Sequence, residues 1–162
     1  YLELVKTNID PNKENLKKIK FNNEILHRSK VIKHFIDNYD GTSKTEKDFK
    51  SVYKKIKRNK KYFISIMDII VLESLIADGI ALPDDLNLNV ISSELTVPEN
   101  LNKLAKDRQV GLVMLKIIEI IGEDKTQNLD PETIYFLTKI LNDLNLKKIR
   151  NKILSEILPL KV

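Results

Sequence analysis

The chain's chemistry-bearing residues are few, and its two histidines, His27 and His34, are the first to weigh. They lie seven residues apart in a stretch with helical periodicity, so a helix would put them on about one face, roughly 10 Å apart at 1.5 Å per residue. Two ligands of one metal ion on a helix need i, i+3 or i, i+4 spacing. A metal or catalytic centre at His27/His34 would therefore require carboxylates from other helices. Glu24 and Asp37 stand three residues before and after the pair, which predicts two exposed histidines with carboxylate neighbours. Nucleophilic chemistry lacks parts. There is no cysteine, no G-x-S-x-G elbow, and Ser92-Ser93 has no base nearby in the sequence. Four glycines, at 41, 79, 111 and 122, build neither a phosphate loop nor a dinucleotide fingerprint. The acid pairs Asp84-Asp85 and Glu123-Asp124 lack calcium-loop spacing and read as solvated turns. No catalytic residue, metal ligand or cofactor is expected, and an enzyme or metal site near His27/His34 is the least favoured of three functional readings.

Charge distribution is the stronger signal. Residues 12–61 hold 16 Lys/Arg against 6 Asp/Glu, whereas residues 62–162 hold 11 against 15. The basic part culminates in Lys50, Lys54, Lys55, Lys57, Arg58, Lys60 and Lys61, a surface that would attract nucleic acid, anionic lipid or an acidic protein. Lysine outnumbers arginine there by 14 to 2, which is poor for base readout and phosphate clamping. Tyr53 and Phe63 fall at core-like positions, leaving few aromatics for stacking. The plainer explanation is a solvated face written in lysine by an AT-rich genome, with some cations paired to the acidic C-terminal helices.

The elements that carry these residues are helices. Apolar residues make up 42% of 162 residues, with only 4 Gly and 5 Pro, too few for the turns of a sandwich or barrel. Asp10-Pro11 is a helix start, and Ile25, Ile32 and Ile36 line one face of a helix that ends at Asn38-Tyr39-Asp40-Gly41. Thr45 to Asp48 resembles a capping box opening a helix with Phe49, Val52, Tyr53 and Ile56 inward. Phe63 to Ala77 is apolar all round, which predicts a central core helix closed by Gly79. The stretch 62–82 is long enough for a bilayer, but Asp68, Glu73 and Asp78 on different sides forbid a span. Residues 82–97 read as an extended connector, with Leu86, Leu88 and Val90 packing onto helices and a short ribbon to Glu94–Val97 as an option. Pro98 opens a short helix, Gln109–Ile121 a second buried one closed by Gly122, Asp130-Pro131 another ended at Asn145, and Leu146–Leu158 the last.

The resulting expectation is an all-α fold, an antiparallel helix-hairpin bundle or short α-solenoid of about seven helices. It forms one domain with a Lys-rich part, 1–61, and an apolar hairpin part, 62–162. Starting on Tyr1, the chain is expected to be a processed product or a piece of a longer protein. Residues 98–158 resemble the C-terminal hairpins of α-solenoid proteins, a class-level likeness that implies no functional residues. Helix-on-helix architecture without catalytic motifs predicts a protein-interaction or scaffold module with an unidentified protein partner. Nucleic-acid or anionic-surface binding through the Lys-rich helix 44–61 is the alternative. A soluble chain is expected, in the cytoplasm or exported; composition does not choose between them.

Overall fold

The computed structural model describes residues 19–36, 41–123 and 125–159. These residues form seven α-helices: α1 (Thr42–Arg58), α2 (Ile66–Ala77), α3 (Leu88–Ile91), α4 (Glu99–Lys106), α5 (Val110–Ile121), α6 (Pro131–Asp143) and α7 (Lys147–Ile157). Short 3-10 segments occupy Leu26–Arg28, Lys30–Phe35 and Thr126–Asn128. No strand occurs among the described residues. The architecture is the expected all-α array of helix hairpins. No described helix is long and apolar enough to cross a membrane. The expected helix start at Asp10-Pro11 and, but for Gly41, the expected terminator at residues 38–41 lie outside the described residues.

α2 is the centre because its apolar residues leave it no polar face. Ile69, Ile70, Val71, Leu72 and Leu75 are all buried, and it packs against α6, α3 and the 3-10 segment Leu26–Arg28. Met67 shares a cavity wall with Pro131 and Ile134, and Ser74, towards the other end, meets Asn142. The two helices therefore run in the same direction. α1 buries Thr45, Phe49, Val52 and Ile56 and turns its lysines to solvent. α6 joins two apolar clusters. Ile134 and Tyr135 belong to the cluster around α2, whereas Leu137, Ile140 and Leu141 pack with Leu101, Val113, Ile117 and Ile153.

The helix ends use one device repeatedly. After α2, Gly79 adopts φ +80°, its N–H reaches Ile76 O, and the Ile80 N–H reaches Leu75 O. That is the Schellman pattern. Asn145 (φ 56°) ends α6 in the same way, and Arg108 (φ 57°) ends α4. At its start, α2 carries a reciprocal capping box: Ser65 Oγ accepts from the Asp68 N–H, and the Asp68 carboxylate accepts from the Ser65 N–H. Asp130 caps α6, with Pro131 in the first turn, as the sequence predicts.

Several expectations are corrected. The helix expected over residues 22–37 is two 3-10 segments broken by Ser29, whose φ/ψ are extended. α1 begins at Thr42 rather than at a Thr45 box, and Thr45 is buried. The connector contains the short helix α3 where an extended run was expected, with no ribbon at Glu94–Val97. Leu86 and Leu88 do pack on the core, but Val90 is exposed. Phe63 is not a core residue: it is 85% exposed. α5 is buried on one face only.

Candidate functional site

The 3-10 geometry of residues 26–35 decides what the histidines do. A 3-10 helix rises about 2.0 Å per residue and extended Ser29 between the two segments rises more, so the seven residues span at least about 14 Å. Ten residues of α-helix span about 15 Å. The segment lies along α2, and the match lets His27 and His34 reach Asp68 and Asp78, one at each end of α2. His27 Nδ1 is 2.7 Å from Asp68 Oδ1, and His34 Nε2 is 2.7 Å from Asp78 Oδ2. An α-helix would have separated the histidines by only about 10 Å and missed one partner. The carboxylates expected beside them were Glu24 and Asp37. His27 is paired with Asp68 rather than Glu24, and Asp37 lies outside the described residues. The histidines are not exposed as expected: His34 is buried and His27 partly so.

Around Asp68, 1% exposed, the acceptors are filled. Oδ1 takes the His27 ring and the His27 backbone N–H, and Oδ2 takes the Tyr62 hydroxyl and the Ser65 N–H. The Tyr62 oxygen in turn accepts the Leu26 N–H at 3.0 Å. Burial raises the Asp68 carboxyl, but the hydrogen bonds from His27, Tyr62 and Ser65 outweigh it and hold it below the usual carboxylate range. Burial pushes the Tyr62 hydroxyl well up. Ser65, His27 and Asp68 are thus neighbours, yet they are not a catalytic triad. Ser65 Oγ and Asp68 both face Nδ1, at 3.5 and 2.7 Å, whereas a triad needs its hydroxyl on the opposite ring nitrogen.

At the other end of α2, Asp78 occupies the helix C-terminus, where the macrodipole disfavours an anion. The chain answers with cations. Arg150, 1% exposed, places Nη1 2.9 Å from Oδ1 and Nη2 2.7 Å from Oδ2. Lys147 Nζ stands 3.6 Å from Oδ2. Arg150 also donates to Ser74 O, Asn142 Oδ1 and Asn151 Oδ1 and lies over the Phe35 ring. His34 Nδ1 meets Thr45 Oγ1 at 3.2 Å, so both ring nitrogens are engaged. Burial raises the Asp78 carboxyl, but hydrogen bonds from His34 and Arg150 and the Arg150 and Lys147 charges hold it far below the usual range. Among the described residues, no three His, Cys, Asp or Glu side chains gather to hold a metal ion. The His27/His34 region is a pair of structural clamps.

The basic residues lie on α1 and the turn after it. Lys50, Lys54, Lys55, Lys57, Arg58, Lys60 and Lys61 are all exposed. Lys57 is paired with Asp85. Among the described residues, no ion pair reaches Lys54, Lys55, Arg58, Lys60 or Lys61.

The composition conceals the second surface, on α5. Val113 and Ile117 point inward against α4. The opposite side presents Leu112, Leu115 and Ile118 at 48%, 63% and 62% exposure. At 100° per residue these three fall within a 120° arc that also carries Gly111 and Glu119, with Lys116 beside it. The near-continuous apolar run could have signalled this: a helix apolar on all sides in a hairpin with a single neighbouring layer has one face too many. The chain matches no protein-family model, no curated protein and no solved structure, so its function is read from this geometry.

Proposed function

We propose that the chain is a non-catalytic protein-interaction module, and that the outward face of α5 is its docking surface. The observation that carries the reading is the Leu112–Leu115–Ile118 stripe. Apolar side chains scattered singly on a surface need no explanation, but a contiguous apolar patch with a polar rim marks an interaction site. Leu112, Leu115 and Ile118 follow one another at successive turns, and such an apolar face is one on which a partner's amphipathic helix can lay its own apolar side. Glu119 lies on that surface between Leu112 and Leu115, and Lys116, paired with it at 3.2 Å, stands at its edge.

The rest of the molecule supports the same reading by being committed elsewhere. Both histidines and the buried arginine are consumed in holding α2, which gives a stiff scaffold on which the α4–α5 hairpin is presented. Capture from an extract of the source cells tests the proposal, with the wild-type chain and Leu115→Lys as paired baits. The wild type is expected to retain a discrete partner that the variant loses, with both baits equally helical. Equal capture by both, or none by the wild type, contradicts it.

A further inference from the structure

The corner between α1 and α2 carries a different surface. Residues 62–65 lie outside any helix, with Ser65 extended before α2, and their side chains point to different sides. Tyr62 and Ile64 pack against the core, and the Tyr62 hydroxyl is fixed between Asp68 and the Leu26 N–H. Phe63 is therefore turned outward and held there, with 85% of its surface exposed. It stands two residues after Lys61 and five after Arg58, which closes the basic last turn of α1. Between Asp48 and Asp68 the chain carries seven cations and no carboxylate. Six of them, Lys50, Lys54, Lys55, Arg58, Lys60 and Lys61, have no ion-pair partner among the described residues. The nearest carboxylates from packed elements are Asp85, taken by Lys57, and Glu24, which shares a shallow depression with Lys55.

We infer that this corner docks on an anionic lipid surface, with Phe63 entering the headgroup–acyl boundary and the lysines lying over the headgroups. An exposed aromatic projecting from a lysine cluster supplies both terms of interfacial binding, apolar insertion and attraction to acidic lipid. A single-stranded nucleic acid fits less well, because such platforms stack successive bases on several aromatic faces. Here Tyr53 is stacked on Phe49, Tyr62 is tied to Asp68 and Phe21 lies under Lys33, which leaves Phe63 as the one fully projecting ring among the described residues of this region. Lysine in place of arginine also suits a surface read by charge alone rather than by forked hydrogen bonds.

The chain has no tryptophan, so Phe63→Trp reports from the corner alone. Mixed with phosphatidylcholine vesicles containing phosphatidylserine, this variant is expected to shift its emission to the blue, and with phosphatidylcholine alone to show no shift. Co-sedimentation with the phosphatidylserine vesicles is expected to weaken about tenfold in Phe63→Ala. It should be lost in Lys60→Glu/Lys61→Glu and fall as salt is raised. Phe63 is so exposed that neither substitution threatens folding. Unchanged Trp emission, equal binding to the two vesicle types, or wild-type binding by Phe63→Ala overturns the inference. So does Phe63-dependent retention of an oligothymidine strand with no retention on vesicles.

Discussion

Arg150 and Asp78 form a two-pronged ion pair, Nη1 to Oδ1 and Nη2 to Oδ2, that joins the last helix to the C-terminus of the central one. Both side chains are almost wholly out of water. Desolvating two charges is costly, and such a pair is tolerated only when the remaining donors and acceptors are also satisfied. Ser74, Asn142, Asn151 and His34 satisfy them, and no buried side-chain nitrogen or oxygen is left unpartnered among the described residues. The pair fixes how the α6–α7 hairpin sits on α2.

Removing one partner is therefore expected to cost far more than a surface ion pair. Arg150→Met leaves a buried carboxylate facing only His34 and Lys147, and the loss should be about 3 kcal/mol. Urea unfolding checks the value. Asp78→Asn added to Arg150→Met should restore part of the loss, because the uncompensated charge is gone. A single-variant loss below about 0.5 kcal/mol, the range of surface substitutions, would place the pair among the inconsequential ones.

Acid should weaken the fold in a defined window. Asp68 and Asp78 both titrate below their ordinary value of 3.8 in the folded chain. As pH falls below about 4, the unfolded chain takes up protons first, so stability is lost with falling pH, and for Asp78 the loss continues to strongly acidic conditions. Glu73 works the other way. Burial raises its carboxyl above 4.5, so its contribution falls as pH rises through the interval just above that value. Unfolding free energies measured along a pH series should show the acid limb, and Asp68→Asn and Asp78→Asn should each flatten it. An unaltered limb in both variants would contradict the assignment.

Arg108 offers a gain. It ends α4 at φ 57°, in the left-handed region where glycine is the residue of least strain. Its side chain makes no hydrogen bond or ion pair among the described residues. Arg108→Gly should raise stability by about 0.5–1 kcal/mol, read as a higher urea midpoint at unchanged slope. A lower midpoint would mean that the Arg108 side chain contributes packing the strain argument omits.

How far the sequence reveals this structure depends on the range over which each signal acts. Asp130-Pro131, Gly79, Gly122 and Asn145 mark helix ends through local backbone preferences, and each ends or begins a helix where its chemistry says it should. The 3-10 character of residues 26–35 is not local. Ile25, Ile32 and Ile36 keep a helical period, but the rise is set by the need to meet Asp68 and Asp78 across 41 and 44 residues. The lysine surface was legible because exposed charge needs no partner. Phe63 was misplaced because an apolar residue next to a core helix reads as core, and only the anchoring of Tyr62 shows that its neighbour must turn outward. α5 was placed correctly, but whether both faces of an apolar helix are covered depends on how many layers surround it.

The claim that matters most is that the α5 stripe meets another protein. A photo-activatable phenylalanine analogue placed at Leu115, in cells making the source protein, tests it most directly, with the same analogue at exposed Lys148 on α7 as the control. The account predicts a discrete crosslinked species at position 115, lost when Leu112→Ser and Ile118→Ser are added, and no such species at position 148. No adduct at 115, or the same adducts at both positions, would contradict it.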